Sequence, residues 1–322
     1  MHPDGQVTIC IAPRERFSCS VDSLVDIVRN TGAPYKLVYV DANSPPAIAG
    51  ELAGLCKLHG FTYLRVNRYL SPNEARNIAL GQIETPYVVF LDNDVFVTPG
   101  WLVAMLDCAH ATGAWAVSPI ILEGGAALQV IHMAGGDLIE HEFAGFNSFR
   151  QRHRFMLETL SSVRDQLVRA PVSLFEFHGI MLKTEAFDQR KFLDEGFSSH
   201  GEHMDLSREI HRAGGTIYFE PAAVIRYDNA RKFEDYDREY FELRWSQAWT
   251  DSSLEHARRK WQLGPQDTAL QRMASWTEKH RRLFEKSQTA WTVSILPRLL
   301  RRKASVWLRE HKFLTEKVPF DT

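Results

Sequence analysis

The chain has little cysteine, and its cysteines show no pattern that would link them. Cys10, Cys19, Cys56 and Cys108 are the only four among 322 residues, and they include no C-x-x-C pair and no histidine-rich surroundings. Disulfide-stapled scaffolds and cysteine-ligated zinc modules carry cysteines at close, regular spacings. The cysteines therefore indicate neither a disulfide framework nor a zinc site, and a reducing cytoplasm fits them best.

Long apolar runs and a strong net charge are also missing. No run approaches the roughly 20 apolar residues that span a bilayer, and residues 1–5 do not start a basic segment followed by an apolar stretch. We therefore expect a cytoplasmic protein. The formal net charge is -2, with both signs spread along most of the chain, so we expect a small-molecule partner rather than nucleic acid.

A glycine-rich phosphate loop is absent after the first apolar run, which ends in Ala12-Pro13-Arg14-Glu15-Arg16. A dinucleotide oxidoreductase would carry G-x-G-x-x-G there, so that class is not expected. The same absence counts against a sugar nucleotidyltransferase, which must hold a triphosphate.

The first 120 residues repeat a short apolar run followed by an amphipathic helix, within a chain that is 44% hydrophobic. This alternation predicts an α/β fold with a mostly parallel central sheet covered by helices on both faces. Gly60 is placed to end the second helix, while Ser71-Pro72-Asn73-Glu74 and Thr98-Pro99 are typical helix starts. The predicted strands are residues 7–11, 37–40, 61–66, 87–91, 115–117 and 216–219.

Two aspartates follow the fourth apolar run directly, in Asp92-Asn93-Asp94. In open α/β sheets, ligands bind beyond the carboxyl ends of the strands, so these carboxylates are expected at a ligand site. Mg²⁺ and Mn²⁺ bind carboxylate oxygens and can neutralise the charge on a departing phosphate. The alternative is a polar turn, because Asp and Asn are common in turns.

Several segments around this motif resemble family 2 glycosyltransferases. Residues 88–94 followed by 98–102 are similar to the D-x-D region of that family, residues 38–44 to its second-strand motif, and residues 74–77 to its Ala-Arg-Asn segment. The resemblance implies a GT-A fold with a C-terminal helical extension. It extends, with gaps, from about residue 7 to residue 227.

The resemblance also implies roles for individual residues. Asp41 would bind the nucleotide base, Arg76 the nucleotide, Asp92 the ribose or the metal, and Asp94 the metal. Arg14, at the end of the first strand, is a further candidate for the nucleotide. The alternatives are an Asx-turn at Asp41 and a solvated helix charge at Arg76.

Residues 194–197 and 201–208 resemble the acceptor-side half of the same family. The family usually has Glu-Asp-x-Asp-Leu there, and the aspartate after the glutamate often deprotonates the acceptor hydroxyl. This chain has His203 at that position, between Glu202 and Asp205. Any of the three could act as the base, since histidine accepts protons near neutral pH. The alternative is that they only begin a helix, where acidic residues favour the dipole.

Many relatives carry a histidine further downstream, and some use it as a further metal ligand; this chain has Arg226-Tyr227-Asp228 there. Asp228 could replace it as an oxygen ligand, Arg226 could steady the diphosphate, or both could be surface groups. An inverting reaction is preferred, although the expected aspartate base is missing.

The resemblance divides the chain at residue 230. Residues 1–120 would form the nucleotide-sugar half and residues 121–230 the acceptor half, with an insertion or mobile lid at 123–169. Residues 175–179 are expected to be a buried strand that could bring His178 toward the acceptor. Residues 231–322 would form the helical extension.

Within that extension, Trp245 and Trp249 are four residues apart, as on one helical face, where core packing is favoured over a sugar platform. The basic residues 298–303 and 306–309 predict an amphipathic helix. Such a helix could lie on the inner face of an anionic membrane, or pack on the domain or on a second subunit.

These features favour a glycosyltransferase that moves a hexose from a nucleotide-diphosphate donor to an acceptor hydroxyl with the help of Mn²⁺ or Mg²⁺. The acceptor would be a carbohydrate, a lipid-linked group or a small molecule. The alternatives are a catalytically silent nucleotide-sugar-binding scaffold, which His203 would permit, and the sugar nucleotidyltransferase.

Overall fold

The computed structural model of the chain describes residues 6–125, 127, 129–143, 145–187, 192–264 and 267–289. The basic segments 298–303 and 306–309 lie outside these residues, so the membrane-contact and subunit-contact hypotheses for them stay predictions.

Four parallel strands from the first third of the chain form one side of the central sheet, in the order β3-β2-β1-β4. Each crossover between successive strands in the chain contains a helix. The elements in chain order are β1 (Val7–Ala12), α1 (Ser20–Asn30), β2 (Lys36–Ala42), α2 (Pro46–His59), β3 (Thr62–Val66), α3 (Pro72–Leu80) and β4 (Tyr87–Asp92). The predicted strands in this region are confirmed to within one or two residues.

Both faces of this sheet are covered, because alternate side chains of each strand point to opposite sides. In β1, Ile9 and Ile11 belong to one hydrophobic core, while Cys10 and Ala12 belong to another. Helices α1 and α2 pack on the first core, and α3 packs on the second. All four cysteines are buried free thiols.

The helix boundaries agree with the sequence in two places and differ in one. Ser71 and Glu74 form a reciprocal capping box at the start of α3, and Gly60 ends α2 in the left-handed conformation. After β5 (Val95–Val97), helix α4 (Trp101–Thr112) begins behind Gly100 rather than at Thr98-Pro99. The predicted start was wrong because these residues make a turn in which the Trp101 amide bonds the Thr98 carbonyl.

The rest of the central sheet consists of β5 and of strands from residues 116–227. The elements are β6 (Ala116–Glu123), β7 (Val130–Ala134), β8 (Gly136–Phe143), β9 (Phe146–His153), α5 (Leu160–Val163), β10 (Ala170–Val172), β11 (Gly179–Lys183), α6 (Glu202–Arg212) and β12 (Ile217–Tyr227). Strand β11 lies antiparallel between β4 and β6, and β12 runs parallel to β6 and pairs with β5. The expected buried strand at 175–179 is displaced: only its last residue belongs to β11.

Residues 123–169, expected as an insertion or a mobile lid, contain regular strands. Strand β7 adds to the central sheet beside β6, and β8 and β9 form an antiparallel hairpin of their own. The hairpin carries exposed charged residues such as Glu140 and Glu142. Residues 140–142 and 150–152 are all exposed, so the hairpin has no apolar run of the kind that predicted the other strands.

The C-terminal helices are α7 (Arg238–Arg244), α8 (Gln247–Lys260) and α9 (Thr268–Thr289). Trp245 lies in the break between α7 and α8, so the prediction that it shares a helical face with Trp249 was wrong. The predicted core packing of Trp245 is confirmed, since it is buried against Phe241 and Phe284. Within the described part of the chain, no helix is long and apolar enough to cross a membrane.

Candidate active site

Asp92 ends β4 at the carboxyl edge of the parallel strands and is 2% exposed. Arg76 Nη2 donates a 3.1 Å hydrogen bond to its Oδ1, while His178 Nδ1 and Arg14 Nε lie 3.0 and 3.7 Å from its Oδ2. Burial alone would raise the pKa of Asp92, but His178, Arg76 and Arg14 together hold that pKa below its ordinary value. Asp92 is therefore an ionised carboxylate at neutral pH.

Asp94 has the opposite environment. It is fully buried, and neither carboxylate oxygen has a hydrogen-bond partner among the described residues. Burial, reinforced by the neighbouring charge of Asp92, raises the pKa of Asp94 to about 8. A buried carboxylate without donors is unfavourable unless it takes up a proton or a cation.

Asn93 fixes the turn between the two aspartates. Its Nδ2 donates hydrogen bonds of 2.7 Å to the Arg16 carbonyl and 2.8 Å to Ser20 Oγ, and its Oδ1 accepts from the Arg14 amide at 3.3 Å. All these partners lie just after β1. The motif is thus held rigidly, so the carboxyl of Asp94 is unpaired in a fixed position. This is the chemistry that a bound divalent cation would complete.

A cavity of about 340 Å³ opens beside Asp92. Five of the predicted site residues line it: Arg14, Arg76, Asp92, Glu202 and His203. His178, which the sequence suggested could reach the acceptor, also lines it. The remaining predicted residues, Asp41, Asp94, Asp205 and Asp228, are not among the lining residues.

The carboxylate of Asp41 is occupied by partners from its own chain. It accepts from the Ser44 amide at 2.9 Å, from Ser44 Oγ at 3.0 Å and from the Tyr63 hydroxyl at 2.6 Å, and it pairs with Arg65. The Ser44 contact is the Asx-turn considered as the alternative. Binding of the base by Asp41 stays a prediction, and it would require some of these donors to give way.

The start of α6 brings two of the three base candidates into the cavity wall. Glu202 Oε1 accepts a 3.1 Å hydrogen bond from Nη2 of the buried Arg244. His203 Nε2 lies 2.9 Å from Gln151 Oε1 and 3.6 Å from Glu176 Oε1. Gly201, in the left-handed conformation with φ 95°, turns the chain into this helix.

Asp205, the third base candidate, is not among the residues that line the cavity. Its Oδ2 accepts from Lys260 Nζ at 2.7 Å and its Oδ1 from Trp261 Nε1 at 3.1 Å. The side chain therefore points at the end of α8. The end of α8 therefore covers this part of α6.

Asp228 and Arg226 pair with each other rather than with the cavity. Arg226 Nη1 lies 3.1 Å from Asp228 Oδ2, and Asp228 Oδ1 accepts from the Arg231 amide at 3.3 Å. Of the three alternatives left open for this pair, the geometry favours that of ordinary structural groups. The prediction that Asp228 binds the metal finds no support in this arrangement, since partners already hold both of its oxygens.

Several cavity residues were not singled out from the sequence. The β7–β9 region supplies His132, Gln151 and His153, and the segment before β11 supplies Glu176. The C-terminal helix α9 supplies Trp276, which is 42% exposed. No local signal marks these residues, because they are distant from one another in the chain and only the fold brings them together.

A buried glutamate connects the two ends of the described chain beneath the cavity. Glu15 accepts hydrogen bonds from the Tyr227 hydroxyl at 3.0 Å and from Trp245 Nε1 at 2.9 Å, and it lies 3.2 Å from His280 Nε2. Burial would raise its pKa, but Arg14 and His280 hold the pKa well below its ordinary range. The C-terminal helices are thereby fixed against the loop that carries Arg14.

Comparison with known proteins shows which family and which fold the chain resembles. The family model of glycosyl transferase family 2 matches residues 19–165. A curated relative, the pre-mycofactocin glycosyltransferase of Mycobacterium tuberculosis, is 26% identical over 165 residues, which make up 51% of this chain and 32% of the relative. The chain thus matches about a third of the length of that relative.

Two solved structures share the fold. The crystal structure of GalNAc-T7 with UDP, GalNAc and Mn²⁺ has a TM-score of 0.55 at 15% identity, covering 90% of this chain and 57% of that chain. The mannosyltransferase PcManGT from Pyrobaculum calidifontis, in complex with GDP-Man and Mn²⁺, has a TM-score of 0.52 at 14% identity, covering 96% and 83%. Residues 19–165 are therefore similar to glycosyl transferase family 2, and the chain shares the GT-A fold of these solved glycosyltransferases.

Proposed function

We propose that the protein transfers a hexose from a nucleotide-diphosphate donor to an acceptor hydroxyl, with a divalent cation, Mn²⁺ or Mg²⁺, at Asp94 and Asp92. The observation that carries this proposal is the buried carboxylate of Asp94, whose two oxygens have no hydrogen-bond partner among the described residues. It stands two residues after the ionised Asp92, at the carboxyl edge of the sheet. The solved relatives with the same fold bind UDP or GDP-Man together with Mn²⁺.

Besides the proposed metal ion, the donor half of the site contains a positively charged side chain, that of Arg14. A bound divalent ion would neutralise the charge that develops on the departing diphosphate. Arg14 lines the cavity, and its Nη1 has no hydrogen-bond partner within the described residues. The guanidinium can therefore donate to a phosphate oxygen while Glu15 and Asp92 hold it in place. Arg76 is more constrained, because Asp92 and Asn73 already accept its hydrogen bonds.

On the acceptor side, we assign the general base to His203, with Glu202 as the alternative. A histidine accepts a proton at neutral pH without a large perturbation of its pKa. Glu202 lines the same cavity, but Arg244 already engages its carboxylate. A base placed opposite the leaving group would give inversion at the anomeric carbon. The acceptor, whether a carbohydrate, a lipid-linked group or a small molecule, belongs to this proposal as well.

The test is a panel of UDP-, GDP- and dTDP-sugars, read first by thermal shift and then by release of the nucleoside diphosphate. One donor should raise the melting temperature only when Mn²⁺ or Mg²⁺ is present, because it binds the native state alone. This shift should disappear in Asp94→Asn. Donor binding without turnover, over a broad set of acceptors, would favour the scaffold alternative. A wild-type shift that persists in Asp94→Asn would overturn the metal assignment.

A further inference from the structure

Three cavity residues outside the Asp92–Asp94 motif form a second cluster of metal-ligating groups. They are His132 on β7, His153 at the end of β9, and Glu176 in the segment that leads to β11. One candidate ligand atom from each lies within 4.8 Å of the other two. We propose that this cluster is a zinc site, separate in its ligands from the Mn²⁺ or Mg²⁺ site.

The spacing is close to what zinc requires. In a tetrahedral site with bonds of roughly 2.0–2.1 Å, neighbouring ligand atoms are about 3.4 Å apart. His153 Nε2 and Glu176 Oε1 are already 3.2 Å apart. The other two pairs of ligand atoms lie within 4.8 Å of each other, so each pair would approach by at most about 1.4 Å on binding one ion.

The imidazole nitrogens lie near carboxylates but make no hydrogen bond of ordinary geometry with the described residues. Both ring nitrogens of His153 and Nδ1 of His132 are buried, and they make no hydrogen bond to the described residues. Glu123 Oε2 lies 3.5 Å from Nδ1 of His132. It is placed to orient that ring when the other nitrogen binds a cation, as carboxylates do behind metal-binding histidines.

The charge of the cluster also suits a cation. Glu176 supplies a carboxylate oxygen, and His132 and His153 each supply a ring nitrogen. The cluster therefore offers one carboxylate and two imidazoles, a ligand set that catalytic zinc sites use with a fourth position left open. Hard cations such as Mg²⁺ prefer oxygen ligands, whereas imidazole favours zinc. The two sites would thus select different metals.

All three ligands line the cavity that also contains Asp92 and His203. His178 separates the sites, with its ring centroid 5.3 Å from that of His132 and its Nδ1 3.0 Å from Asp92 Oδ2. The open position of the zinc would face the cavity. It would accept an oxygen ligand, such as a hydroxyl or carboxylate of a molecule bound there.

The experiment counts metal without any sugar donor, so its result is independent of the proposed function. The full chain is stripped with a chelator, loaded with Zn²⁺, dialysed and analysed for bound zinc, and its Co²⁺ absorption spectrum is recorded. The zinc measurements use the Asp94→Asn variant, which removes the Mn²⁺ or Mg²⁺ site. We expect one zinc per chain in Asp94→Asn and a Co²⁺ spectrum typical of nitrogen and oxygen ligands.

His153→Ala and Glu176→Gln, each in the same background, should weaken zinc binding at least about tenfold. The exposed His59, at the end of α2, provides the matched control, and His59→Ala should bind like its parent. Circular dichroism and melting temperature show whether each variant is folded. If one of the two ligand variants does not fold, His132→Ala is measured in its place. Absence of zinc from Asp94→Asn, or equal binding after His153→Ala and Glu176→Gln, would overturn the proposal.

Discussion

Arg76 Nη2 donates a 3.1 Å hydrogen bond to Oδ1 of Asp92, and both side chains are 2% exposed. This pair joins α3 to the end of β4. Arg76→Met should destabilise the protein by about 3 kcal/mol, because it leaves the Asp92 charge buried with fewer partners. Urea unfolding at pH 7 in the presence of a chelator measures the loss.

The control for Arg76→Met is Arg68→Met. Arg68 precedes α3 and pairs with Glu74 of that helix, but its side chain is more than half exposed. An exposed pair contributes less than about 1 kcal/mol. Equal losses for Arg76→Met and Arg68→Met would show that the burial of the Arg76–Asp92 pair has no energetic importance.

The contribution of Asp194 to stability should depend on pH. Its carboxylate binds Lys260 and His256 of α8. Burial alone would raise the pKa of Asp194, but Lys260, His256 and the Gly196 amide lower it to about 2. Because the folded pKa is below the unfolded one, the stabilisation is present above about pH 4 and is lost as the pH falls toward 2. Wild type should exceed Asp194→Asn by up to about 2 kcal/mol at pH 7 and by roughly half of that at pH 3. A gap that does not change between pH 7 and pH 3, measured by urea unfolding, would contradict this origin.

Variants at Asp205 and His203 should affect different properties, the first the stability of the protein and the second its activity. Asp205→Asn weakens the contacts to Lys260 and Trp261, so it should lower stability by about 1–2 kcal/mol and leave the transfer rate within about threefold. His203→Gln should lower kcat by about 100-fold or more, if His203 is the base, with little change in stability. Steady-state kinetics beside urea unfolding distinguishes the two. A larger rate loss in Asp205→Asn than in His203→Gln would reverse the assignment.

Trp276 offers an aromatic face to the cavity. It is 42% exposed and stacks on His280, with ring centroids 4.3 Å apart. Trp276→Ala should raise the KM of a sugar substrate about fivefold, equivalent to about 1 kcal/mol of ring contact, while kcat changes less. The similarly exposed Tyr236, which does not appear in the cavity wall, is the control. An equal effect of Tyr236→Ala would argue against a sugar-binding role for Trp276.

Any side chain at Gly201 should destabilise the protein, because the backbone conformation and the space around it both favour glycine. Its φ is 95°, and an added Cβ would lie 2.8 Å from the Phe197 ring and 3.1 Å from the Trp261 ring. Gly201→Ala should therefore cost about 2–3 kcal/mol. Gly214 has a similar φ of 81° but open space around the Cβ position, so Gly214→Ala should cost only about 1 kcal/mol. Thermal unfolding of both variants measures the difference, and equal losses would remove the steric contribution.

The sequence by itself determined the features that depend on neighbours in the chain. The alternation of apolar runs and helices predicted the parallel half of the sheet. Ile9 and Cys10 are neighbours in one apolar run and must point to opposite faces of the sheet, so both faces had to be covered. The capping box of α3 was readable because Ser71 and Glu74 are three residues apart. The position of Asp92 and Asp94 at the sheet edge followed from the strand that precedes them.

Only the tertiary structure decided which of these residues face the cavity. Asp205 and Glu202 lie in one short motif, yet Lys260 and Trp261 hold one of them while the other borders the cavity. His132, His153 and Glu176 carry no common sequence signal, because only the packing of β7, β9 and the segment before β11 brings them together. Burial and partner choice depend on contacts between distant segments, and a local pattern contains no information about them.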